Sequence, residues 1–374
     1  SFIFISVVYP PLRSFVTMIN IGDFILIPTK NQSKEDWLNQ RSLTVGGSDM
    51  GTLFNKNEYS SVTQLFYEKL GRIKPVDLSE NSAVHYGSSF EDVVLRDSQY
   101  LDLHGKDNNH IKNFNEGNKK ASHLPFPYMI ISKKYPQITC NVDGLKFADT
   151  SLTEQDLINM VEKEGKMPVP EAIIEIKTMS AASKEKWNGL NPTYPIQVKT
   201  YCLPFLDLNP KIYGEIYAFC YDQTLTGYQV DLEEKDKKMI PLVSKKFQDL
   251  VEEGKKIIKK AKKEGKSEDE IDEMLTQIHP QPNSSAISLG SFLSDNFLKK
   301  KYIEENATIN GTAEDIEKGL RFGAVGKEIK ALNNEKSRIS NDFKNKLVTS
   351  KARIIDCGKR GKIAFSKRLT INVK

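Results

Sequence analysis

Residues 172–177 read Ala-Ile-Ile-Glu-Ile-Lys, an apolar, β-branched run that carries charge only at its end. Such a run reads as a short strand. Alternate side chains of a strand share a face, so Glu175 and Lys177 point to one place while Ile176 points the opposite way, into the core. A strand with one face committed to packing and a charged tip constrains the chain to a sheet with helices laid on it.

The surrounding pattern agrees. Residues 129–132 and 138–143 are further short apolar runs, and 213–220 and 226–232 alternate like paired strands. Ser33 begins a helix with acids in its first turn, running to about residue 41. A glycine turn at Gly46-Gly47 opens a second helix, and Gly71 closes one over 61–71. Another helix runs from about His85 to Leu103, an insertion at 152–166 has helical spacing at Leu157, Met160 and Val161, and helices are expected at 181–187 and from Pro195. The sum is α+β, a central mixed sheet flanked by helices. Residues 235–280 are charged and helical around the 255–263 lysine run, which reads as a solvated helix face or a phosphate-binding patch. A long polar helix at 325–347 and a hairpin across 358–361 close the chain. Three divisions follow: an N-terminal segment 1–32, irregular or non-native; a core at 33–235; and a largely helical extension at 236–374 ending in a β-hairpin.

Composition sets wide limits. Of 374 residues 39% are hydrophobic and 28% charged, with a formal net charge of +5, so a polyanionic partner is permitted but not demanded. The cysteines Cys140, Cys202, Cys220 and Cys357 are scattered, which excludes a C-x-x-C metal motif and fits a reducing cytoplasm. Residues 1–27 are apolar but broken by Pro10-Pro11, and no basic segment precedes them. Neither a membrane span nor a signal peptide is expected. Met18 offers a natural start, so 1–17 reads as a non-native stretch or an extra strand.

The chemistry lies in what precedes the 172–177 strand. Asn141-Val-Asp143-Gly144 is a second short strand ending in an acid at a turn. Asp143 and Glu175 supply the oxygen ligands that magnesium takes, one or two carboxylates being enough, and the Ile176 carbonyl is placed to add another. Magnesium acidifies water and neutralises charge developing on a phosphodiester. Lys177 beside them is suited to orient water and stabilise an anionic transition state. The same pair also satisfies a plain strand-end salt bridge, worth about 0–1 kcal/mol. Gly46-Gly47-Ser48-Asp49 presents a hydroxyl and backbone N–H groups at a helix start, an anion site or an ordinary helix cap. Glu91, one turn after Gly87, either faces a cleft or complements the helix dipole.

Taken in order, Arg41, Gly46-Gly47-Ser48-Asp49, Gly87-x-x-x-Glu91, Asp143-Gly144, Glu175-Ile176-Lys177 and Tyr194-x-x-Gln197 resemble the phage lambda exonuclease and YqaJ-type viral recombinases, within the PD-(D/E)xK nucleases. The resemblance covers roughly residues 33–235 and, more loosely, the tail. It implies a restriction-endonuclease-like core. It implies Asp143, Glu175 and the Ile176 carbonyl as Mg2+ ligands, with Mn2+ as a substitute. Lys177 becomes the catalytic lysine, Glu91 a holder of water or metal, Gln197 a lining residue, and Arg41 with Ser48 the grip on a 5′-phosphate. Where members often carry a second glutamine, this chain has Lys199. The implied activity is 5′→3′ digestion of double-stranded DNA ends, leaving 3′ single strands for an annealing protein, by a homo-oligomer, a trimer by resemblance. The implied setting is a phage- or prophage-encoded protein in bacterial cytoplasm. Two other readings compete: an endonuclease of the same fold, with restriction, nicking or junction-resolving activity, and a non-catalytic DNA-binding protein.

Overall fold

The computed structural model describes residues 18–30, 32–74, 80–101, 103, 110–187, 189–222, 224–280, 313–349, 354–356, 361–365 and 369–373. The expected extra strand within 1–17 and the fourth cysteine, Cys357, lie outside these residues. By its contacts the chain divides into two units, Ser1–Ile303 and Glu304–Lys374.

The first unit begins with β1 (Ile19–Ile21), β2 (Phe24–Pro28), α1 (Lys34–Leu43), β3 (Val45–Gly46), α2 (Gly47–Leu53), α3 (Val62–Lys69), α4 (Ser82–Ser98) and α5 (His110–Asn115). It continues with β4 (Ser122–Leu124), β5 (Tyr128–Ser132), β6 (Ile138–Cys140), β7 (Gly144–Phe147), α6 (Glu154–Glu162), β8 (Ala172–Met179), α7 (Ala181–Lys186) and α8 (Thr193–Cys202). It ends with β9 (Tyr213–Cys220), β10 (Thr224–Val230), α9 (Glu234–Lys263) and α10 (Glu268–Thr276). Side-chain caps define several helix starts: Ser33 accepts from the Asp36 N–H at 3.0 Å, and Thr153 and Asp156 form a reciprocal capping box.

The expected α+β fold of mixed sheet flanked by helices is present, its strands divided between two five-stranded sheets in the orders β1-β2-β5-β6-β3 and β10-β9-β8-β7-β4. β8 is the middle strand of the second. It runs parallel to β9, with Glu175 opposite Ile216, and antiparallel to β7, with Ile174 opposite Gly144. Helices cover both of its faces. Ile174 and Ile176 pack with Val94 and Leu95 of α4, while Ile173 joins Val198 and Tyr201 of α8 in the larger core. Glu175 and Lys177 share the Ile173 face and so turn toward α8.

Two expected divisions need correction. Residues 18–28 are not irregular: β1 and β2 pair with each other, β2 pairs with β5, and Phe24 and Leu26 are buried in the main core. Nor do compact units separate at 235. The 30-residue α9 buries Ile240, Val243, Phe247, Val251 and Ala261 in the first unit's core, at spacings that keep them on one helical stripe. Three lysines of its 255–263 run pair with acids, Lys255 with Glu252 at 2.8 Å, Lys260 with Glu264 at 3.9 Å and Lys262 with Glu268 at 3.7 Å.

The second unit holds α11 (Ala313–Thr349), then β11 (Ile354–Asp356), β12 (Gly361–Phe365) and β13 (Leu369–Val373) in an antiparallel sheet. The expected hairpin is its first half. No helix among the described residues is long and apolar enough to cross a membrane.

Candidate active site

β7 stops short of the tip of β8, and the site forms where it stops. Asp143 precedes β7, and its Oδ2 accepts the N–H of Ile176 at 2.6 Å, so a carboxylate takes the place of a ladder carbonyl. The N–H and C=O of one strand residue leave on the same side, which directs the Ile176 carbonyl to the edge occupied by Asp143. On the α8 side, Glu175 is 1% exposed. Its Oε1 accepts from Lys177 Nζ and, at 2.6 Å, from Gln197 Nε2. Its Oε2 is buried without a hydrogen-bond partner. Lys177 Nζ also stands 5.2 Å from the centroid of the Tyr194 ring.

A second buried glutamate shows how unusual that is. Glu215 on β9 is fully buried, but its Oε1 accepts from Lys146 at 2.7 Å and its Oε2 from the Tyr217 hydroxyl at 2.6 Å. Beside it, Ser98 and His123 Nδ1 meet at 2.7 Å, and burial, then the Lys146 charge, lower the His123 pKa to about 3. This sealed serine–histidine–glutamate row is satisfied packing. Glu175 is the glutamate left with an oxygen to offer.

Glu91 reaches the same edge from the opposite face of the sheet. Gly87 lies close against Thr178 of β8, where an added Cβ would stand 3.2 Å from its Oγ1. That close approach brings α4, and Glu91 one turn on, toward the tip of β8. Glu91 keeps an exposed surface, yet partial desolvation of its carboxyl and then the Asp143 charge raise its pKa to about 7. Burial, then Asp143, raises Glu175 to about 8 despite Lys177. Asp143 is also raised, by burial. Burial opposes the charge of Lys177, but Glu175 and Asp143 outweigh it and hold the ammonium above its ordinary value. Excess negative charge around one fixed cation is the environment a divalent ion relieves. Among the described residues no group of three or more His, Cys, Asp or Glu side chains is placed to hold a metal ion by itself. The unpartnered Glu175 oxygen, Asp143 and a carbonyl nonetheless fit a hard cation that keeps most of its waters.

Arg41 and Ser48 meet nearby. Arg41, in the last turn of α1, donates to Ser48 Oγ at 2.5 Å and lies 4.5 Å from the centroid of the Trp37 ring. Asp49 accepts from the Gly46 N–H at 2.9 Å and Lys69 at 2.7 Å, with Arg41 at 4.0 Å. Burial works against the Asp49 charge, but Lys69 and Arg41 hold its pKa below the usual value. Lys69 also donates to the Arg41 and Thr44 carbonyls at 2.6 and 2.7 Å, tying α1 to α2. Gln197 joins the two groups: its Nε2 lies 3.2 Å from the Tyr201 hydroxyl, and the Tyr201 ring abuts Gly47, where a Cβ would lie 2.2 Å from it.

The structure thus joins Glu175, Lys177 and Gln197 by direct bonds, ties Asp143 to the same strand through the Ile176 N–H, places Glu91 within their field, and pairs Arg41 with Ser48. Lys69, Tyr201 and Trp37 were missed from the sequence, and Tyr194 entered only as the first residue of the Tyr194-x-x-Gln197 motif. Only the i, i+4 spacing of Gln197 and Tyr201 on one helix offered a signal. Lys199 turns away and binds Asp236 of α9 at 2.6 Å.

Residues 36–203 match the YqaJ-like viral recombinase domain, a span that contains every site residue named above. The "Uncharacterized protein YqaJ" of Bacillus subtilis (strain 168) is 22% identical over 330 residues, 86% of this chain and 81% of that protein. Among solved structures, an alkaline exonuclease (LHK-Exo) from Laribacter hongkongensis is similar at 14% identity and a TM-score of 0.40, over 62% of this chain and 99% of that one. The same enzyme in complex with dAMP gives 13% and 0.41, with the same coverage. Residues 36–203, the stretch that carries the site, are thus similar to the YqaJ-like viral recombinase domain.

Proposed function

We propose that this protein is a divalent-metal-dependent nuclease that digests linear double-stranded DNA from 5′-phosphorylated ends in the 5′→3′ direction. The 3′ single strands left behind would serve an annealing protein in recombination. The observation that carries the reading is Glu175, a buried glutamate with one oxygen bonded and the other free, on the strand whose next residue donates its N–H to Asp143. The match of residues 36–203 to a viral recombinase domain supports a DNA substrate.

Asp143, Glu175 and the Ile176 carbonyl would hold magnesium, which supplies positive charge at the phosphate and makes water more acidic when bound. Glu91, with a pKa near neutrality, is suited to take the proton of the attacking water. Lys177 remains an ammonium through the reaction, so its part is electrostatic: it donates to the oxygens on which charge builds. Gln197 holds Glu175 Oε1, which leaves the buried Oε2 free to bind the metal. As water adds to phosphorus the bond to the 3′-oxygen breaks, and that oxygen takes its proton from solvent. The Arg41 guanidinium and Ser48 hydroxyl suit a terminal 5′-phosphate, whose oxygens the arginine fork can meet in pairs.

The test is digestion of linear duplexes bearing 5′-phosphate or 5′-hydroxyl ends, and of closed circular DNA, with magnesium and with EDTA. Magnesium-dependent loss of linear 5′-phosphorylated DNA alone is the expected result. Cleavage of the closed circle would transfer the same site to an endonuclease.

A further inference from the structure

Tyr201 lies one turn beyond Gln197 on α8, and the two ends of its side chain serve different parts of the site. Its hydroxyl accepts from Gln197 Nε2 at 3.2 Å, while the same amide donates to Glu175 Oε1 at 2.6 Å. Its ring lies beneath Gly47, where an added Cβ would fall 2.2 Å from Cε1 and 2.7 Å from Cζ. Gly47 stands directly before Ser48, the partner of Arg41. The tyrosine is 4% exposed, so the ring has little room to yield. Both sites also act on its hydroxyl: after burial, Glu175 raises its pKa and Arg41 opposes that rise.

We propose that Tyr201 is a positioning residue that couples the Arg41–Ser48 phosphate holder to the Glu175 centre. The ring sets where Ser48 stands, and the hydroxyl keeps the Gln197 amide on Glu175. The inference rests on the nuclease reading above and deepens it: one side chain fixes the span from the gripped 5′-phosphate to the bond that is cut. Packing alone needs no hydroxyl, and cleavage alone needs no ring against Gly47. The two roles are therefore separable by substitution.

Tyr201→Phe keeps the ring and removes the hydroxyl. With EDTA present, its affinity for a 5′-phosphorylated duplex end, read by fluorescence anisotropy, stays within about twofold of wild type. With magnesium, its single-turnover cleavage rate falls about tenfold, the size of one lost hydrogen bond. Gly47→Ala does the reverse in EDTA: the ratio of affinities for 5′-phosphate over 5′-hydroxyl ends falls by at least about fivefold, since the added methyl must displace the ring or the Ser48 backbone. Melting temperatures accompany both variants. Wild-type cleavage by Tyr201→Phe, a rate loss only in proportion to lost folded protein, or an unchanged end preference in Gly47→Ala overturns the coupling. A wild type that binds both ends equally in EDTA removes the 5′-phosphate reading and the coupling with it. A wild type that prefers the phosphate while Tyr201→Phe is unaffected removes the coupling alone.

Discussion

At the scale of single residues, the carboxyls at the β8 tip hold protons that free carboxyls would release. Glu91 and Glu175 have folded pKa values of about 7 and about 8, above the usual carboxylate range. The folded state therefore binds more protons than the unfolded chain between roughly pH 4.5 and 8, and that stabilisation is lost as pH rises through the folded values. Without metal, the melting temperature is expected to fall between pH 6 and 8.5. Magnesium binds the deprotonated carboxylates, so its stabilising effect is expected to grow over the same interval. A melting temperature in EDTA that rises with pH would contradict these assignments. Arg41→Lys keeps the charge but loses the fork and the stacking on Trp37. Its preference for 5′-phosphate over 5′-hydroxyl ends is expected to drop about tenfold in competition binding, the effect of one charge-assisted hydrogen bond.

At the scale of elements, α9 is part of the core. Phe247 is fully buried with Phe66 in the main cluster, so Phe247→Ala is expected to cost about 3–5 kcal/mol in urea unfolding. A chain cut at 235 is expected to fail to fold cooperatively, whereas one cut at 303 keeps every element of the first unit. What the sequence made legible follows from periodicity. β8 has a period of two, which put Glu175 and Lys177 on one face, and α9 has a stripe readable over 30 residues. β3 and β4 span two and three residues, too short to show any period, which is why one sheet was expected where two exist. Lys69 and Tyr201 were hidden for a different reason. Lys69 acts on carbonyls 25 and 28 positions away, and Tyr201 on a glycine far before it in the chain, through contacts that only the fold creates.

At the scale of the molecule, function depends on local charge, because a net +5 over 374 residues is a weak field. Near the end of α9, Lys255, Lys260 and Lys262 are paired with acids, which offsets part of the charge of that run. Every candidate site residue lies in the unit Ser1–Ile303. A chain ending at 303 is accordingly expected to keep magnesium-dependent digestion of linear duplexes, and complete loss of activity on that truncation would assign the second unit a catalytic part. The central claim is that the Asp143–Glu175–Lys177 group is a metal-dependent centre for cutting phosphodiesters. The measurement that tests it most directly compares wild type with Lys177→Ala on a linear 5′-phosphorylated duplex in magnesium, both proteins first shown to melt alike. The predicted result is digestion by wild type and a loss of about 100- to 1000-fold in the variant, the cost of removing one aligned electrostatic group. Equal rates for the two proteins would contradict it.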